Sequence, residues 1–120
     1  MYNIILDTSF ILTALKFKVD VFSELNRICN FKYKISIIDR TLDELKGKKL
    51  GKLAVKLLKD KNVNIINTSE KINVDNIIIK LANKDKNIIA ATQDLDLKNK
   101  LENIKTKIII IKQKKFLIII

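Results

Sequence analysis

Short runs rich in isoleucine alternate with helix-spaced stretches along the whole chain, and nothing interrupts the alternation. The strand-like runs fall at residues 2–6, 34–38, 62–66, 87–92, 107–111 and 115–119. Most are continuously apolar, as strands buried on both faces are. Between them lie helical periodicities. One begins near Ser9. The next covers residues 19–29, with Val19, Phe22, Leu25, Ile28 and Cys29 on one face; others cover 40–46, 50–60, 74–83 and 95–103. Strand–helix alternation of this kind predicts a mainly parallel sheet of about five strands with helices on both sides. The last two runs, split by residues 112–114, are too close for an intervening helix and predict a hairpin or an edge extension. The 120 residues include no proline, and no Gly/Ser-rich stretch or repeat marks a linker. One domain over residues 1–120 is therefore expected, long enough for an ordinary core.

The absences narrow the chemistry. There is no histidine, so histidine-based triads, histidine general bases and the usual zinc sites are excluded. The only glycines are Gly47 and Gly51, so neither a dinucleotide fingerprint nor a P-loop can be built. No apolar run nears the roughly 20 residues of a membrane span. Met1 leads almost at once into a strand-like run without a secretory pattern. Cys29 is the single cysteine, so no intrachain disulfide forms. A cytoplasmic protein without a membrane partner is the expectation. Carboxylates, lysines and hydroxyls remain for chemistry, and oxygen ligands favour Mg²⁺ or Mn²⁺.

Four acids stand where such a fold would gather them. Asp7 follows the run Ile4-Ile5-Leu6, and Asp94 follows residues 88–92. Both sit where a buried strand ends and a helix begins, the edge at which open α/β sheets bind ligands. Glu44 and Asp75 lie within or at the start of two further helices. Each has a plainer use. Asp7 and Asp94 suit helix N-caps. Glu44 fits a capping box with Thr41. Asp75, two residues after Asn73, suits the positive end of a helix. Caps need not share one edge of a sheet, whereas the chain order puts all four acids near strand carboxyl ends. Brought together, they would repel unless a cation joined them.

The net charge is +11, which invites a polyanionic partner. Lys46, Lys48, Lys49, Lys52, Lys56 and Lys59 crowd one stretch. On the helix pattern at 50–60, Leu50, Leu53, Ala54, Leu57 and Leu58 make an apolar face, and Lys52, Lys56 and Lys59 a stripe opposite. Such a stripe suits a phosphate backbone through counterion release. The same lysines also suit ordinary solvated surface. Together, carboxylates and lysines point to a metal-dependent nuclease site on a basic protein.

The segments Asp7-Thr8-Ser9-Phe10, Asp43-Glu44-Leu45, Val74-Asp75-Asn76-Ile77-Ile78 and Ala91-Thr92-Gln93-Asp94-Leu95-Asp96-Leu97 resemble, in order and spacing, the acidic motifs of PIN-domain ribonucleases. The resemblance covers essentially the whole chain. With Phe17-Lys18-Val19-Asp20-Val21-Phe22 and the two C-terminal runs, it is most similar to single-domain archaeal members that are like the PIN endonucleases of small-subunit rRNA processing. It implies a three-layer α/β/α fold and a Mg²⁺- or Mn²⁺-dependent endoribonuclease. It implies that Asp7, Glu44, Asp75 and Asp94 bind metal, with Asp96 as an accessory acid and Ser9 supporting the site. RNA, as a ribosomal precursor, is the implied partner, alongside a homodimer or ribosome-assembly contact. Asn76 and Gln93 depart from the usual pattern; neither replaces a principal ligand. A toxin of a toxin–antitoxin pair and a non-cutting PIN module are the alternatives. A dehalogenase-like phosphatase would need Asp at Ser9. A receiver module would carry its acceptor Asp on a middle strand.

Overall fold

The computed structural model describes residues 1–120. Six strands form one sheet in the order β3-β2-β1-β4-β5-β6. They are β1 (Tyr2–Leu6), β2 (Tyr33–Ile38), β3 (Asn64–Ile66), β4 (Ile88–Ala91), β5 (Lys107–Lys112) and β6 (Phe116–Ile119). The first five run parallel, and β6 returns antiparallel on β5. The expected terminal hairpin is thus the sheet's edge. Helices α1 (Thr8–Lys16) and α2 (Val21–Ile28) connect β1 to β2. Helices α3 (Asp39–Lys46) and α4 (Gly51–Asp60) connect β2 to β3. Helix α5 (Val74–Lys84) carries the chain back to β4, and α6 (Leu95–Asn103) leads on to β5.

Both faces of the central strands are packed, which is why their sequences are continuous. On β1, Ile4 and Leu6 join Phe10, Ile11, Leu25, Leu45 and Leu58 in one core. Ile5, between them, faces Ile77, Ile78, Leu97 and Leu101 in the other. On β4, Ile89 and Ala91 face the first core, and Ile88 and Ala90 the second. The α1–α4 half therefore covers one face and α5–α6 the other. The chain winds outward from β1 in one direction through β2 and β3, then starts again at β4 on the other side. That reversal makes the β1/β4 boundary a topological switch point, the place where such sheets open a ligand crevice.

Two sequence expectations change. The strand expected at 62–66 begins only at Asn64. Helix α4 ends in a left-handed turn at Asn62, φ 53°, where the Val63 N–H bonds the Leu58 carbonyl at 3.1 Å. That cap uses the residues before the strand. Leu53 is 54% exposed and does not join the α4 core face. Gly51 explains how α4 sits: a Cβ there would lie 1.7 Å from the Leu45 carbonyl oxygen. Only glycine lets α4 start so close to α3.

The outer edge of β6 is closed by side chains. Glu24 and Arg27 form a two-bond fork, both contacts at 2.9 Å. Glu24 accepts from the Leu117 N–H at 2.9 Å, and Arg27 donates to the Leu117 carbonyl at 3.1 Å. The pair occupies the backbone groups another strand would use. Arg27, followed by the Leu117 N–H, holds the Glu24 carboxyl below its ordinary range. No helix is long and apolar enough to cross a membrane.

Candidate active site

Asp7, Glu44, Asp75 and Asp94 line one open cleft of about 580 Å³, together with Thr8, Ser9, Leu12 and Lys48. They arrive from separate elements. Asp7 directly follows β1, and its N–H bonds the Ala91 carbonyl at the end of β4 at 2.9 Å. Glu44 reaches across from α3, Asp75 from the first turn of α5, and Asp94 from the start of α6.

Asp7 occupies the cap position of α1, but its side chain caps nothing. Its Oδ2 instead accepts from Ser9 Oγ at 2.7 Å and Thr92 Oγ1 at 2.9 Å. Asp7 is 4% exposed, and none of the four acids is in an ion pair. A buried carboxylate held only by hydroxyls leaves its charge uncompensated by protein. Glu44 forms no capping box, because α3 starts at Asp39 and places Thr41 inside the first turn. Glu44 accepts from Thr8 Oγ1 instead. Asn73 caps α5 through the Asn76 N–H at 2.9 Å, which leaves Asp75 free of that task. Asp94 does cap α6, accepting from the Leu97 N–H at 3.1 Å through Oδ1.

The cleft's charge registers on Asp75. Burial, then the charges of Asp7, Asp94 and Glu44, push its carboxyl from 3.8 up to about 6, with Lys100 pulling the other way. A cation in the cleft would relieve this repulsion.

Sequence reasoning passed over two hydroxyls that organise the acids. Thr92 donates to Asp7 while accepting the Asp94 N–H at 3.0 Å, so one side chain links two acids. Thr8 holds a single acid, Glu44. Both lie inside the quoted motifs, but their partners are 85 and 36 residues away, and no local pattern signals that. Ser9 supports the site as expected of a small polar residue: it donates to Asp7 and accepts the Gln93 N–H at 3.2 Å. Gln93 pairs with both backbone groups of Ile111, at 2.6 and 3.4 Å. That ties the Asp94 loop to the end of β5.

Asp96 does not line the cleft. It is 76% exposed and pairs with Lys100 at 3.2 Å, one turn along α6. Asp96, expected as an accessory acid, holds the cation that Asp75 senses. The lysines expected to share one surface fall into two grooves. Lys46, Lys52, Lys56 and Lys59 line one. Lys48 and Lys49 line another with Lys16 and Lys18.

The donor set suits a hard cation, since every ligating candidate is a carboxylate or hydroxyl oxygen. No three carboxylates form a ready-made cage. Such a cleft fits an ion that keeps part of its water shell, as Mg²⁺ commonly does.

Comparison with known proteins agrees with the architecture. The family model described as a PIN-like domain matches residues 4–114. Ribonuclease VapC4 of Methanocaldococcus jannaschii is 30% identical over 125 residues, covering 97% of this chain and 95% of that protein. The solved structure of the PIN domain endonuclease Utp24 matches with a TM-score of 0.87 at 26% identity, covering 98% of this chain and 90% of that one. By sequence, fold and the acids at its switch point, the chain belongs to the PIN-like domain family.

Proposed function

We propose that this protein is a metal-dependent endoribonuclease whose centre is Asp7, Glu44, Asp75 and Asp94. The observation that carries this is the convergence of four carboxylates, none in an ion pair, on one open cleft; burial and then the neighbouring charges raise the Asp75 carboxyl there. Similarity to a ribonuclease and to an endonuclease over nearly the full chain supports it.

Bound among these acids, Mg²⁺ or Mn²⁺ would neutralise phosphate charge and acidify water. The chain's own residues set the geometry. Asp7, fixed by Ser9 and Thr92, is the anchor. Asp75 and Asp94 complete the carboxylate set from the α5 and α6 starts. Glu44, oriented by Thr8, is long enough to align the attacking water. Ser9 and Thr92 hold Asp7 from one oxygen, leaving Oδ1 for the ion. Lys48 stands on the rim for a phosphate. The six lysines Lys46, Lys48, Lys49, Lys52, Lys56 and Lys59 supply positive charge toward RNA from two separate grooves.

Maturation of a ribosomal precursor in the cytoplasm is the role we favour, on the resemblance of the α1–α2 segment and terminal hairpin. A toxin would instead be encoded beside a small antitoxin gene, which the genomic neighbourhood decides. The chemistry itself is tested with purified protein and structured RNA. Internal cleavage with Mn²⁺ or Mg²⁺ that stops on chelation is expected. RNA left intact with either ion would refute the proposal.

A further inference from the structure

The two basic grooves differ in ways that identify one as the path to the acids. The first, about 630 Å³, runs between the end of α1 and the α3–α4 turn. Leu12, Leu15 and Leu50 form its floor, and Lys16, Lys18, Lys48 and Lys49 its rim. Leu12 and Lys48 also line the acidic cleft, so groove and cleft are continuous. The second groove, about 530 Å³ along α4, shares no residue with the cleft.

Their charge differs too. None of the four rim lysines of the first groove is in an ion pair. In the second, Lys46 is paired with Asp43 at 3.6 Å and Lys56 with Asp60 at 3.1 Å. The first groove also has support around it. Phe17 carries Lys16 at 5.3 Å and Lys114 at 5.1 Å from its ring, which extends the positive edge to the β5–β6 turn. Lys18 takes the left-handed position that closes α1, φ 57°, with the Val19 N–H on the Ala14 carbonyl at 2.8 Å. Glycine is the usual occupant of that position; here it carries a charge at the groove's edge.

We propose that this groove is the track along which the RNA backbone enters the acidic cleft, an inference that rests on the ribonuclease reading above. A cleft of four acids repels phosphate, so a substrate needs positive charge beside it. Unpaired lysines over an apolar floor suit an RNA strand, with phosphates on the rim and base faces toward the leucines. The α4 groove contributes to the general field and does not guide the strand.

The test uses two variants with equal loss of charge. One carries Lys16→Gln, Lys18→Gly, Lys48→Gln and Lys49→Gln. The Lys18→Gly change keeps its turn, because glycine adopts positive φ freely. The other carries Lys46→Gln, Lys52→Gln, Lys56→Gln and Lys59→Gln. Binding of a fluorescein-labelled RNA of about 20 nucleotides, enough to span groove and cleft, is measured in chelator across a salt series. The track variant should bind at least about tenfold more weakly than the matched variant, and its log–log salt slope should fall by up to about 3. Equal losses, or a larger loss in the α4 variant, would overturn the track. Because binding is read without metal, it is separable from turnover. A protein that binds through the track but never cuts would uphold the track and defeat the nuclease assignment.

Discussion

Replacing Asp75 by Asn should stabilise the metal-free protein, and only where Asp75 would be charged. The folded cleft raises this carboxyl from 3.8 to about 6. In a sealed site that rise would correspond to about 3 kcal/mol. The cleft is open, and solvent screening leaves about 1.5 kcal/mol. The helix N-terminus favours a charge at this position by about 0.5 kcal/mol, which the variant loses. The net gain is about 1 kcal/mol, or roughly 4 °C in Tm for a domain of this size. The sign follows from proton binding. Below about pH 4 the group is protonated in both states and contributes nothing. Between about 4 and 6 the folded protein keeps a proton that the unfolded chain releases, so stability declines as pH rises. Above about 6 the full cost is present. Thermal melts of both proteins in chelator should therefore coincide near pH 4 and separate by pH 7.5, with the variant higher. Adding Mg²⁺ or Mn²⁺ should stabilise the wild type more than the variant and close the gap. A variant that melts at or below the wild type at both pH values would refute the idea that the cleft holds uncompensated charge.

Other consequences are equally open to measurement. Thr92→Val should lower RNA cleavage by about 10–100-fold through misplacement of Asp7 and Asp94 and cost about 1–3 kcal/mol in stability, because the Asp94 N–H and Asp7 lose their buried partner; wild-type turnover would count against the linking role. Gly51→Ala should cost about 3 kcal/mol, visible in urea unfolding, because its Cβ would strike the Leu45 carbonyl; an unchanged midpoint would show that α4 shifts freely. The double variant Glu24→Ala/Arg27→Ala should uncover the Leu117 backbone and promote concentration-dependent association in sizing experiments; association identical to wild type would mean the edge is guarded otherwise.

Much of the fold was legible because both faces of the central strands are buried, and that leaves continuous isoleucine runs at Ile4-Ile5-Leu6 and Ile108–Ile111. Three of the acids were legible by position: Asp7, Asp75 and Asp94 each follow a strand or open a helix, whereas Glu44 lies near the end of α3 and reaches the same edge from there. What stayed hidden depends on distant partners. Thr92 and Thr8 meet acids far along the chain. Asp96 sits only two residues after Asp94, yet helix rotation turns it to Lys100. Leu53 fits the helical period of α4, but nothing packs over it. The lysines between 46 and 59 look continuous in sequence, while the α3–α4 turn aims Lys48 and Lys49 away from the α4 stripe.

The central claim turns on Asp7, the buried acid between Ser9 and Thr92. Asn at this position keeps the size of Asp, and no cap is lost because the Asp7 side chain caps nothing, but it removes the charge that would anchor a cation. Single-turnover cleavage of RNA by Asp7→Asn, with Mg²⁺ or Mn²⁺ saturating, should fall by at least about 100-fold, since metal activation supplies several kcal/mol to the transition state. Its melting temperature in chelator should not fall below wild type, and its RNA affinity should stay close to wild type. Cleavage by Asp7→Asn at the wild-type rate would contradict the metal-dependent mechanism proposed for this cleft.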